Sequence, residues 1–233
     1  MNKKQSSTQV RRKIVLVDDH PIFRRGLVQL IHQEPDLVVC GEAESAAQAM
    51  QVIAARSPDI VLADISLKDS DGIELLKDIK ARHPRLPVLM LSMYNESLYA
   101  ERALRAGARG YIMKEEAIDK VMIAIRRVLN GEIYVSERLN AHMLCQFAGD
   151  KPRKVASPVE LLSDRELQVF RLLGHGKSTG RIASQLHRSV STVETYRANI
   201  KLKLNLRNAT ELLQHAVHWV ETEDRGETSS PSR

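Results

Sequence analysis

The chain has 233 residues, 43% hydrophobic and 4% aromatic, so it carries enough Leu, Ile, Val, Ala and Met for buried cores, and its length favours two modest domains over one. Thirty-five Lys plus Arg against 29 Asp plus Glu leave a net charge of +6, which suits an anionic partner without locating it. The longest apolar run, Val121 to Ile125, is far below the ~20 residues that cross a bilayer, and the run after the basic start ends at Asp18 and Asp19, so neither a membrane span nor an export signal is expected and a cytoplasmic protein is.

Residues 1–11 read as a basic arm. Short apolar runs at Lys13 to Val17, Val38 to Glu42, Asp59 to Ala63, Val88 to Ser92 and Gly110 to Met113 have the length and Val/Ile/Leu content of buried parallel strands. Helical periodicity fills the gaps near 21–33, 45–56, 72–82, 96–106 and 117–130. Ser45 and Gln48 have capping-box spacing, and Pro58, Pro84 and Pro87 punctuate helix ends. This alternation predicts a doubly wound α/β domain with a five-stranded parallel sheet over residues 12–131.

Residues 132–158 lose the strand pattern. Glu137 to Phe147 suits a helix, and Gly149 to Lys154 followed by Ser157-Pro158 reads as a linker. Residues 159–219 predict a small all-α domain. Ser163 and Glu166 have capping-box spacing before a first helix, and Ile182, Ala183 and Leu186 suggest a second. His187 to Val190 reads as a turn, with Ser191 as the N-cap of a long helix that carries Val193, Tyr196, Ile200 and Leu204 on one face. Residues 220–233 are polar and expected to be disordered. Charge divides with this plan: residues 14–135 carry a net −3 and residues 159–219 a net +4.

Asp18 and Asp19 end the first predicted strand, Asp64 the third, Ser92 the fourth and Lys114 the fifth. In doubly wound folds the carboxyl ends of strands converge on one crevice. Three carboxylates gathered there repel one another unless a hard cation sits among them, and Mg²⁺ is the natural candidate because it couples carboxylates to phosphate oxygens. Singly, each residue has a plainer reading: an aspartate as a helix cap, Lys114 as a solvated lysine, Ser92 as a turn former. Together they are far more specific.

With Asp64-Ile65-Ser66-Leu67 running into Asp71-Gly72, this set resembles the receiver domain of a two-component response regulator, a flavodoxin-like fold. The resemblance implies that Asp64 accepts a phosphoryl group from a histidine kinase, and that Asp18, Asp19, Asp64 and the backbone carbonyl of Ser66 hold Mg²⁺. It implies that Lys114 pairs with a phosphoryl oxygen and that Ser92 hydrogen-bonds another on switching. Tyr111 matches the family's aromatic switch position, or is simply a buried strand tyrosine. Lys68 and Glu115 stand where the family commonly has proline.

The basic segment resembles the LuxR-type helix-turn-helix of NarL/FixJ response regulators, through Leu162, Arg165-Glu166, Gly176, Ser178, Ile182-Ala183, Leu186, Ser191, Thr192-Val193, Asn199-Ile200, Lys203-Leu204 and Leu206. That implies double-stranded DNA as partner, with Ser191, Thr192, Glu194, Thr195, Arg197, Ala198, Lys201, Lys203 and Arg207 as candidate contacts. The cations among them suit phosphates or form a solvated helix face. Glu194, Tyr196 and Ala198 depart from the family pattern where bases are read; Glu194 either closes a capping box with Ser191 or accepts a hydrogen bond from a cytosine amine.

The expected function is a phosphorylation-regulated, sequence-specific DNA-binding transcription regulator rather than an enzyme beyond phosphoryl gain and loss at Asp64. A homodimer is expected on phosphorylation or DNA binding, through a surface that the sequence does not single out, with RNA polymerase a further candidate partner. Two rivals are a Mg²⁺-dependent phosphohydrolase with Asp64 as nucleophile and a regulator driven by protein contacts alone, its pocket vestigial.

Overall fold

The computed structural model describes residues 11–67, 70–93, 96–147, 158–186 and 188–226. Residues 1–10 of the basic arm, Lys68, the linker stretch 148–157, His187 of the expected turn and residues 227–233 lie outside the described residues.

Strands β1 (Arg12–Val17), β2 (Leu37–Ala43), β3 (Ile60–Asp64), β6 (Val88–Ser92) and β7 (Gly110–Met113) form a sheet in the order β2-β1-β3-β6-β7, parallel throughout. The central strands read as unbroken apolar runs because both of their faces are covered. Ile14, Leu16, Leu62 and Leu91 pack beneath α1 (Pro21–His32) and α5 (Lys114–Leu129). Val15, Val61, Ala63 and Met90 pack beneath α2 (Ala46–Arg56), α3 (Gly72–Arg82) and α4 (Glu96–Arg105). The order reverses between β1 and β3, which puts the ends carrying Asp18 and Asp64 at the crevice.

Four local features differ from the expectation. The fifth strand stops at Met113 and α5 opens on Lys114, where Glu115 and Glu116 place negative charge on the helix N-terminus. A two-residue antiparallel hairpin, β4 (Ser66–Leu67) with β5 (Ser70–Asp71), follows Asp64. Residues assigned to the linker begin as part of the first domain: Tyr134 accepts from Tyr111 N–H and donates to Arg109 C=O, covering polar backbone at the edge of β7. Glu96, the first residue of α4, then accepts from both the N–H and the hydroxyl of Ser136, which heads α6 (Glu137–Phe147). Finally, α10 (Ala209–Gly226) runs into the tail expected to be disordered, because Val220 and Ala216 are buried and Val220 lies against Gly174.

The second domain comprises a 3₁₀ turn (Pro158–Leu161), α7 (Asp164–Gly174), α8 (Thr179–Gln185), α9 (Val190–Lys203) and α10, around Leu167, Phe170, Ile182, Val193, Ile200 and Leu212. Trp219 packs on Phe170 with ring centroids 5.7 Å apart. The Ser163–Glu166 capping box forms. The Ser191–Glu194 box does not: α9 starts earlier, on Ser189, whose hydroxyl accepts from Thr192 N–H at 3.1 Å. Among the described residues no helix is long and apolar enough to cross a membrane.

Candidate functional site

The crevice gathers the predicted residues. Asp18 and Asp64 are buried, Asp19 partly so, and Ser92 is buried at the end of β6. Lys114 Nζ lies 2.7 Å from Asp18 Oδ2 and 2.8 Å from Asp64 Oδ2, and the ammonium sits 4.8 Å above the Phe23 ring. Burial pushes the Asp64 carboxyl up to about 6, and the neighbouring Asp18 adds to the rise while Lys114 opposes it. Ser66 N–H donates to Asp64 Oδ1 at 3.1 Å, so the hairpin fixes the carboxylate's orientation. Tyr111 is buried in β7.

The donor set fits a hard cation. Single ligand atoms of Asp18, Asp19, His20 and Asp64 lie within 4.8 Å of one another. Asp19 Oδ1 and Asp18 Oδ2 are buried and form no well-aligned hydrogen bond, although His20 Nδ1 lies 3.0 Å from the first and Lys114 Nζ 2.7 Å from the second. Oxygen atoms left short of donors in this way match what Mg²⁺ requires.

Two supports were not read from the sequence. Arg24, almost fully buried, donates to Asp18 C=O at 2.5 Å and pairs with Glu42 and Glu44 at 2.9 and 2.7 Å, bracing the loop that carries Asp18 and Asp19. Gly72 opens α3 directly against the strand end: a Cβ there would sit 2.1 Å from the Asp64 carbonyl oxygen.

Beside it, Asp71 caps α3, its Oδ1 accepting from Ile73 N–H at 2.8 Å, and burial raises its carboxyl from 3.8 to about 6. The folded chain therefore holds this proton more tightly than the unfolded one. Its contribution to stability is full below 3.8 and is lost as pH rises through about 6, a difference of about 3 kcal/mol. Asp71→Asn keeps an acceptor for the cap without the buried charge. It is expected to raise Tm at about pH 8 and to leave it nearly unchanged at about pH 4, which thermal melts at the two values will check; an equal shift at both would contradict this account.

The two domains meet over this crevice. Asp164, the first residue of α7, accepts from Lys77 of α3 at 2.9 Å and from Arg102 of α4 at 3.0 Å. Burial raises the Asp164 carboxyl, but these two cations outweigh it and hold the group below its usual value. Arg102 also donates to the Glu160 carbonyl at 3.2 Å. Between the domains lies a cleft of about 290 Å³.

On α9, Ser191, Glu194, Thr195 and Ala198 are exposed and Thr192 and Lys201 half-buried, so the predicted face forms. Two of its cations are already engaged. Arg197 donates to Thr179 and to Glu194, tying α8 to α9, and Lys203 reaches the buried Glu166 at 2.6 Å. Arg207 follows α9 and is exposed. The Lys203 pairing is not legible in the sequence, because its Glu166 partner is set by the packing of α7 on α9, whereas Glu194 and Arg197 are neighbours on one helix at i, i+3.

The pattern defining response regulator receiver domains matches residues 14–126, and that of bacterial regulatory proteins of the luxR family matches residues 160–216. The oxygen regulatory protein NreC of Staphylococcus epidermidis is 31% identical over 210 residues, covering 88% of this chain and 96% of that protein. Its Staphylococcus aureus counterpart is 32% identical over 209 residues with the same coverage. RcsB of Salmonella enterica serovar Typhimurium, solved on promoter DNA in the presence of the phosphomimetic BeF3⁻, superposes with a TM-score of 0.65 at 25% identity, over 88% of this chain and 98% of that one. A LuxR-family two-component response regulator from Aurantimonas is 32% identical with a TM-score of 0.56, covering 59% of this chain and 99% of its own.

Proposed function

The chain belongs to the response-regulator family, a receiver domain joined to a LuxR-type output domain, and from that premise we propose that Asp64 is the phosphoacceptor through which a histidine kinase controls it. The protein is a phosphorylation-regulated DNA-binding transcription regulator. The observation that carries the assignment of Asp64 is the meeting of a buried carboxylate, an ammonium at 2.8 Å and two further aspartates at the carboxyl ends of adjacent strands.

Asp18, Asp19, Asp64 and the Ser66 carbonyl would hold Mg²⁺, which supplies positive charge against the equatorial phosphoryl oxygens. The chain's own residues do the rest. Asp64 offers the nucleophilic oxygen, Lys114 leaves its pairing with Asp64 to hold a phosphoryl oxygen, and the Ser92 hydroxyl binds another. Drawing Ser92 inward repositions the loop into α4 and biases Tyr111, and α4 carries Arg102, one half of the contact with α7.

RcsB was solved on promoter DNA, and the exposed front of α9 supports the same partner here, with Ser191, Thr192, Glu194, Thr195 and Ala198 facing bases. Of the four candidate cations, Lys201 and Arg207 are the two not engaged in a described ion pair, and each is expected to contribute about −0.9 to the slope of log affinity against log salt. Lys201→Ala should reduce that slope by about one unit, whereas Arg197→Ala should lower domain stability and leave the slope in place. Titrations at several salt concentrations distinguish these results. A phosphorylated homodimer and contact with RNA polymerase complete the proposed partners.

The test of the whole reading is DNA binding by the full chain with and without phosphoramidate and Mg²⁺. Affinity or footprint should change on phosphorylation. Binding indifferent to both reagents would favour a regulator with a vestigial pocket.

A further inference from the structure

His20 ends the loop after β1 and stands at the N-cap of α1, a position usually filled by Ser, Thr, Asp or Asn because their side chains accept from the helix's first N–H groups. Its own side chain makes no such bond. Pro21 at the first helical position starts α1 without one, and the His20 N–H donates to Asp18 Oδ1 at 2.8 Å, so the backbone is fixed while the imidazole has another use. It turns into the carboxylates. Nδ1 lies 3.0 Å from Asp19 Oδ1, 3.3 Å from Asp18 Oδ1 and 3.7 Å from Asp64 Oδ2. The contact with Asp19 is short enough for a hydrogen bond, yet that buried oxygen has no aligned one. Two donor atoms facing a common ion meet in this way. Ligand atoms about 2.1 Å from an octahedral ion and at right angles to each other stand about 3.0 Å apart, the spacing of Nδ1 and Asp19 Oδ1.

We propose that His20 is a nitrogen ligand of the receiver's cation site and extends the ions it holds from hard Mg²⁺ to first-row divalent ions that favour imidazole, such as Ni²⁺. This rests on the reading of the crevice as a metal centre. The carboxylates serve both kinds of ion, whereas the imidazole separates them. Mg²⁺ prefers oxygen and keeps its waters, so a water in place of Nδ1 costs it little; Ni²⁺ gains strongly from the nitrogen lone pair.

Titration calorimetry of the untagged full chain with Ni²⁺, and separately with Mg²⁺, tests this in wild type, His20→Ala, His20→Gln and Asp19→Asn. The His20 side chain is 60% exposed and caps nothing, so its loss should leave the fold in place, and Mg²⁺ affinity itself reports whether the pocket is intact. In both His20 variants Ni²⁺ affinity should fall about tenfold or more while Mg²⁺ affinity stays within about twofold of wild type. Ni²⁺ should also compete with Mg²⁺ in wild type. Ni²⁺ held elsewhere, as by His215 and His218, persists in Asp19→Asn and is separated by that variant. Unchanged Ni²⁺ affinity, or an equal loss for both ions in both His20 variants, overturns His20 as a ligand. Mg²⁺ binding indifferent to Asp19→Asn overturns the metal centre instead.

Discussion

Asp64→Asn is expected to abolish the acquisition of hydroxylamine-labile phosphate from phosphoramidate, lowering the rate by more than about a thousandfold, as removal of a nucleophile does. The substitution keeps the shape of the side chain and an oxygen for Ser66 N–H, which donates at 3.1 Å, so the pocket should survive. What disappears is the anionic oxygen that attacks phosphorus. Because burial lifts the Asp64 carboxyl to about 6, the ionised group is held at a cost above that pH, and the neutral amide should leave the fold at least as stable near neutrality. Intact mass after labelling, with peptide mapping of the modified residue, decides the matter. Phosphate taken up at the same rate by the variant would remove Asp64 from its role.

Gly72→Ala should be the most damaging small change near the pocket. Its Cβ would lie 2.1 Å from Asp64 O and 2.6 Å from Ile65 Cα. Both are backbone atoms at the end of a strand paired to β1 and β6, so no flexible side chain can move aside. Overpacking of this kind costs about 1–3 kcal/mol, occasionally more, and a rigid strand end belongs to the upper part of that range. The strain also falls on the residue that must present its carboxylate, so labelling by phosphoramidate should drop along with stability. Urea unfolding and the labelling rate measured together provide the check; a variant with wild-type values of both would show that α3 can shift away from β3 freely.

Much of the pocket was legible because its residues interrupt apolar runs. Asp18, Asp64 and Ser92 each end a short stretch of Val, Ile or Leu, and two-sided burial of a parallel strand leaves no other place for such a residue than the strand's end. Lys114 follows the fifth apolar run as its pattern predicts, but it opens a helix instead of closing a strand. The hairpin after Asp64 was not legible: two-residue strands are too short for alternation to register. Ser189 and Ser191 both have a hydroxyl three residues ahead of a helical N–H, and the spacing alone does not choose between them.

Charged partners chosen by tertiary packing were the least visible. Arg24 in an amphipathic helix looks like a solvated residue until Glu42 and Glu44 are brought to it from another strand and its following loop. Asp164 has the same ambiguity. Its position in the first turn of α7 is explained by the helix dipole alone, and its grip on Lys77 and Arg102 depends on how the two domains meet.

Glu96 binds the second domain's tether as well as beginning a helix of the first. Its carboxylate receives both the backbone and the hydroxyl hydrogens of Ser136, whose oxygen in turn accepts from Leu139 N–H at 3.1 Å. The start of α4 and the start of α6 are thus one joint with a single pin. A displacement of the start of α4 is therefore expected to act on Ser136 and the start of α6 as well. Movement of α4 and movement of α6 are geared to the same residue.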